Sequence, residues 1–184
     1  MNNLSKCVPC VQNVIDGHDK ATFRGKWSGI VIHHTAINGN GNRIESEWRK
    51  LHTNIANYLG AKDKNYVSAH FQIGRYGERT QIVNPEYYIA WHAGKSSFWN
   101  SYWRKYQTGC NDFMIGIELL GDGNVVHYTQ EQYDSLALLV NELLDKFKTI
   151  QPHCITGHEV VSPGRKIDPG KYFDWKKFFR LLKF

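Results

Sequence analysis

The stretch TGHEVVSPGRKIDPG, residues 156–170, gathers His158, Lys166 and Asp168 in one short segment that Pro163, Gly164, Pro169 and Gly170 should keep from being helical. In extended chain, residues two apart face the same side. Lys166 and Asp168 can therefore point together toward whatever the strand-end His158 faces. Far upstream, His33 closes the apolar run Ile30, Val31, Ile32. A polar ring at the end of a buried strand needs a hydrogen-bonding partner or a metal, and the next residue, His34, should point to the opposite face. Two histidines and one carboxylate leave the fourth position of a tetrahedral zinc open for water, the pattern of a catalytic site. A plainer reading stays open on spacing alone, in which the segment is a structural turn and Asp168 pairs with Lys166 or Arg165 at the surface.

Glu118 interrupts the apolar run Ile115, Gly116, Ile117, Leu119, Leu120. A carboxylate there needs a compensating partner or a raised pKa. A general base beside metal-activated water would account for it, and so would an edge-strand glutamate reaching solvent. The remaining chemistry-bearing residues point less sharply. Cys7 and Cys10 form a lone CxxC with His18 nearby, and without a second pair a structural zinc is not expected. Cys110 and Cys154 read as buried thiols. The aromatic stretch SSFWNSYWRKY, residues 96–106, fits a groove lip or a packed loop equally well.

These residues must be held by a framework, and hydrophobic periodicity outlines one. Ile30–Ile32 reads as a buried strand ending in the loop AINGNGN. Ile44, Trp48, Leu51, Ile55 and Leu59 share one face of a helix spanning 43–59. Segments 67–73 and 80–83 form a hairpin through Arg75-Tyr76-Gly77. Residues 114–120 make another strand. Thr129 and Gln132 then supply a capping box for a long amphipathic helix through Phe147. Residues 153–156 can add a strand, and Asp174 can cap a last helix through Leu182.

The chain has 184 residues, 41% hydrophobic and 22% charged, ordinary values for one soluble domain with its own core. We divide it into an N-terminal arm, 1–27, of no evident periodicity, and a domain over 28–184. No internal repeat or linker separates a second domain. No stretch approaches the roughly 20 apolar residues of a membrane span, and the polar start lacks a secretory core, so synthesis in the cytoplasm without a signal peptide is expected. The few, unevenly spaced cysteines fit reduced thiols. A net charge of +6 favours an anionic partner, but no motif supports nucleic-acid binding.

From Gly29 to the C-terminus the chain resembles the type 2 N-acetylmuramoyl-L-alanine amidases. The resemblance rests on IVIHHTA, VSAHFQI, AWHAGKSS, CNDFMIGIELLG, YTQEQYDSL, TGHEVVSPGRKIDPG and FDW, which occur in that order over most of the domain. It is strongest toward the AmpD-type branch of wall-recycling amidases and related phage lytic enzymes; peptidoglycan recognition proteins are more distant. The resemblance implies an α/β fold, a single domain with a central mixed sheet flanked by helices and a zinc site in a surface groove. It implies His33, His158 and Asp168 as zinc ligands, Glu118 as base and Lys166 as oxyanion stabiliser. It places Asn38, Arg75, Trp91 and His92 beside the groove as substrate-binding residues.

The activity implied is hydrolysis of the amide between N-acetylmuramic acid and L-alanine in peptidoglycan or a muropeptide, by a monomer without membrane insertion. Gly109 stands where recycling enzymes carry a substrate-binding arginine. With the positive charge, this favours a phage-type lytic enzyme that acts on peptidoglycan after release. The alternatives are a cytoplasmic enzyme that recycles anhydro-muropeptides, or a non-catalytic binding module, against which the intact ligand set argues.

Overall fold

The computed structural model describes residues 25–37, 43–60, 67–100 and 102–183. The expected arm, with Cys7, Cys10 and His18, lies almost wholly outside the described residues, as does Asn38. Just inside the described residues, Trp27 is core. It is 1% exposed, its indole N–H donates to the Pro85 carbonyl, and its ring meets His70 edge-on.

A five-stranded mixed sheet forms the centre, in the order β3-β2-β6-β1-β7. Its strands are β1 (Gly29–His34), β2 (Phe71–Ile73), β3 (Arg79–Gln81), β6 (Met114–Leu119) and β7 (Ile155–Gly157). β2, β6, β1 and β7 run parallel, and β3 returns antiparallel on β2 through a turn at Gly77, whose φ is +80°. Strands buried on both faces read as continuous apolar runs, which is why β1 and β6 were visible in the sequence. One face is covered by α2 (Gln130–Lys146) and α4 (Trp175–Leu181), the other by α1 (Glu45–Leu59), the short α3 (His158–Val161) and long connections. The expected α/β architecture is thus the observed one.

Local chemistry sets the helix ends. Thr129 Oγ1 accepts from the Gln132 N–H at 3.1 Å, and the Gln132 side chain accepts from the Thr129 N–H at 3.2 Å, the expected capping box. Asp174 accepts from the Lys177 N–H at 2.9 Å and starts α4. α1 departs from its expected face. Its buried residues are Trp48, His52, Ala56 and Leu59, while Ile44 is the exposed N-cap. The helix is turned so that His52, not Leu51, faces inward, because its Nε2 meets Thr80 Oγ1 at 2.8 Å and its Nδ1 meets the Gln72 amide nitrogen at 3.0 Å.

Two further differences bear on the site. A helical turn, α3, begins at His158, where the prolines and glycines of 156–170 were expected to exclude helix; Pro163 and Gly164 lie just beyond it and bound rather than prevent it. Residues 153–156 divide into a tight turn, Pro152–Cys154, and the start of β7. The aromatic stretch forms a separate hairpin of β4 (Ser97–Asn100) and β5 (Lys105–Thr108), with Trp99 opposite Tyr106 on its exposed face.

Candidate active site

The site lies at the C-terminal ends of the parallel strands, where open α/β sheets place ligands. Alternation along β1 sends Ile30 and Ile32 toward α2, and Val31 and His33 to the other face. On β6, Ile115, Ile117 and Leu119 face α2, so Glu118 shares the face of His33, its direct register partner. Gln72 on β2 is the register partner of Glu118 on the other side. β7 pairs Gly157 with Ile32 and hands the chain to His158, so that His158 starts α3 beside His33.

Three buried atoms converge there. His33 Nδ1, His158 Nδ1 and Asp168 Oδ2 form a triangle whose three sides are each 2.9 Å. Ring protonation follows from the outer partners. His158 Nε2 lies 3.1 Å from the Ala93 carbonyl, which only accepts, so Nε2 carries a proton and Nδ1 is the atom turned to the triangle. His92 Nε2 likewise donates to the Met114 carbonyl at 3.0 Å. His92 Nδ1 is then the acceptor for His33 Nε2, 2.8 Å away, which turns His33 Nδ1 to the triangle as well.

Burial keeps His33 and His92 neutral. His33 is lowered to about 4, chiefly by burial and against the pull of Asp168, and burial together with His33 and His70 holds His92 well below the ordinary histidine value. Two imidazole nitrogens and a carboxylate oxygen thus face one another at 2.9 Å. Three electron-rich atoms this close are held together by a shared cation, whether a proton or a metal ion. The triangle's sides are close to the roughly 3.3 Å ligand separations of tetrahedral zinc, and its two imidazoles and one carboxylate match a catalytic donor set. The triad is the only group of this kind among the described residues. Its residues fit the metal that the sequence implied, and Asp168 turns to the histidines rather than to Lys166 or Arg165.

Glu118 stands beside this triangle with one carboxyl oxygen buried and unpartnered. Burial, reinforced by the Asp168 carboxylate and eased by the Lys166 cation, pushes its carboxyl up to about 8. That influence puts Lys166, which is exposed, within electrostatic reach of Glu118 and His33. The sequence-predicted set His33, His158, Asp168, Glu118 and Lys166 is therefore brought together.

The expected substrate-binding residues fare unevenly. Trp91 is 43% exposed. The Arg75 guanidinium donates to the His127 carbonyl and Gln132 and lies over the Trp48 ring, anchoring the start of α2. His92 is buried behind His33 with both ring nitrogens engaged, so its place is under the triad rather than along a surface. Gly116 makes room for it, since a Cβ there would run into the His92 ring. Sequence reasoning missed Asn111 and Ala93 and weighed Arg165 only as a surface partner of Asp168, whereas its side chain donates to the Ala93 and Lys95 carbonyls and to Ser162. Contacts through backbone carbonyls leave no residue-type signal.

The N-acetylmuramoyl-L-alanine amidase family profile matches residues 23–171. The 1,6-anhydro-N-acetylmuramyl-L-alanine amidase AmpD of Haemophilus influenzae is 39% identical over 158 residues, 84% of this chain and 82% of that protein. The AmpD of Citrobacter freundii is 44% identical over 116 residues, 63% of this chain and 57% of that one. A crystal structure of a selenomethionine AmpD derivative superposes with a TM-score of 0.68 at 32% identity, covering 86% of each chain. The match spans β1, β6, β7 and the loop to Asp168, every element that builds the triad, and the chain belongs to the N-acetylmuramoyl-L-alanine amidase family.

Proposed function

We propose that the protein is a zinc-dependent N-acetylmuramoyl-L-alanine amidase whose substrates are 1,6-anhydro muropeptides. The observation that carries the zinc reading is the triangle of three buried donor atoms, His33 Nδ1, His158 Nδ1 and Asp168 Oδ2. The substrate reading is supported by the two AmpD relatives, whose names specify the 1,6-anhydro form. It replaces the lytic enzyme that net charge and Gly109 suggested. Gly109 has its own local reason: it takes a φ of +75° at the start of the Cys110–Asp112 turn, where a side chain would be strained.

His33, His158 and Asp168 would hold zinc, which when bound would supply Lewis-acid polarisation of the scissile carbonyl and a water acidic enough to attack near neutral pH. Glu118 takes the proton of that water and delivers it to the departing L-alanine nitrogen. Its elevated proton affinity suits the second half of that task, and a cation in the triad favours the carboxylate needed for the first. Lys166 faces the oxygen that becomes negative, so its contribution is larger in the transition state than in the ground state. Trp91 offers an exposed aromatic face to a sugar ring. We assign His92 to orienting His33 rather than to substrate.

The deciding experiment incubates zinc-loaded protein separately with a soluble anhydro-muropeptide and with purified sacculi, and reads the products by mass spectrometry. Free stem peptide from the soluble substrate, at a rate far above that from sacculi, is expected. Faster release from sacculi would restore the lytic reading, and no cleavage of either would remove the amidase assignment.

A further inference from the structure

His33 and His158 reach the site from neighbouring strands, yet one dipeptide holds the outer nitrogen of both rings. The His92 ring accepts from His33 Nε2, and the Ala93 carbonyl accepts from His158 Nε2. A single side-chain atom holds the backbone of that dipeptide. Asn111 Oδ1 accepts from the His92 N–H at 3.1 Å and from the Ala93 N–H at 2.7 Å. Asn111 sits in the turn immediately before β6, the strand that supplies the Met114 carbonyl to the far nitrogen of His92 and, at Gly116, the space for its ring. Arg165 and Ser162 grip the same Ala93 carbonyl from the other side.

We propose that Asn111 is a positioning residue for metal binding, which through residues 92 and 93 aims both ligating histidines at once. The inference rests on the zinc reading above. Its physical basis is that a metal-ligating imidazole is oriented by whatever its other nitrogen binds. Here the two outer partners are consecutive residues, so they move together. Without the Asn111 oxygen, two adjacent N–H groups lose their acceptor and the dipeptide settles elsewhere, tilting both rings away from a common point. Asn111 makes no hydrogen bond to the triad or to Glu118, so its influence on the metal passes through this route.

The test compares the whole protein with Asn111→Ala, which removes the acceptor, and Asn111→Asp, which keeps an oxygen able to accept both N–H groups. Zinc affinity is measured by competition with a chromophoric chelator, and the visible absorption of the cobalt(II)-loaded proteins reports ligand geometry. Replacing an outer partner of a metal ligand lowers affinity about 10–100-fold, and Asn111→Ala should fall in that range with an altered cobalt spectrum, while Asn111→Asp recovers most of the loss. An Asn111→Ala protein that binds zinc as tightly as the wild type with an unchanged cobalt spectrum would overturn the inference, as would equal losses in both variants. If Asn111→Ala does not fold, His92→Phe, which keeps a ring but removes the acceptor for His33, carries the test: unchanged affinity there breaks the route. Failure of the wild type to take up zinc is a different result, because it removes the metal reading itself.

Discussion

The two faces of the central sheet are built from the same strands and do opposite work. Toward α2, Ile30, Ile32, Ile115, Ile117 and Leu119 meet Leu136, Val140 and Leu143 in a cluster with no charged member. On the other face, one residue along each strand, stand His33, Glu118 and Gln72, with His70 and His92 around them. The apolar face gains free energy from area removed from water. The polar face contains groups whose burial costs free energy, among them the unpartnered oxygens of Glu118 and Gln72. The α2 face thus carries the largest apolar cluster, and the other, whose apolar contacts divide into two smaller clusters, can hold an electrostatically strained site between them. The comparison predicts that substitutions on the two faces separate into losses of turnover and losses of stability.

The largest break in that separation comes from removing the cation that the triangle calls for. Chelation should abolish amide hydrolysis, and added zinc should restore it, while the melting temperature rises with zinc because ligand binding favours the folded state. Activity that survives exhaustive chelation, with metal content checked by elemental analysis, would end the metal role. Next comes Glu118→Ala, expected to lower turnover about 10²–10⁴-fold, the usual contribution of a general base. Zinc content should stay the same and stability should not fall, since the change deletes a buried, unpartnered carboxyl. Near wild-type turnover would take Glu118 out of the reaction. Lys166→Ala should lower turnover about 10²–10³-fold with zinc retained, as loss of one oxyanion donor does. A raised KM with normal kcat would instead assign Lys166 to substrate binding.

How far the sequence revealed this arrangement also differs between the faces. The apolar face was legible, because strand and helix periodicities and the Thr129 and Asp174 caps are local signals that the observed elements follow closely. The central mixed sheet was implied by the family resemblance, and the parallel pairing of β2, β6, β1 and β7 was not legible in those runs. On the polar face, His33 and Glu118 stood out as polar residues in apolar strand, His158, Lys166 and Asp168 by their spacing in one Pro/Gly-bounded segment, and their roles came from the family resemblance. What holds them was invisible. Ala93 acts through its carbonyl, Gly116 through a missing Cβ, and Asn111 through two backbone N–H groups, none of which a residue type announces. α1 was misaligned for a related reason, because His52 is buried by hydrogen bonds to Thr80 and Gln72 rather than by hydrophobicity.

The smallest expected effect sharpens the comparison most, because it uses adjacent residues. Ile117 precedes Glu118 on β6 but points to the opposite face, fully buried against the α2 cluster. Ile117→Val removes one methyl-sized group from a well-packed region, and such changes cost about 0.5–1.5 kcal/mol. For a chain of this size that is a fall in melting temperature of about 2–4 °C per kcal/mol. The strand backbone, its pairing to β1 and β2, and the Glu118 carboxyl on the other side are untouched by the missing carbon. Turnover and zinc affinity should therefore remain those of the wild type at temperatures well below the transition. Chemical denaturation, with kinetics on the same preparation, measures both quantities. If Ile117→Val lowers kcat tenfold while zinc stays bound, packing beneath the sheet sets the position of Glu118, and the two faces are a coupled unit rather than separate ones.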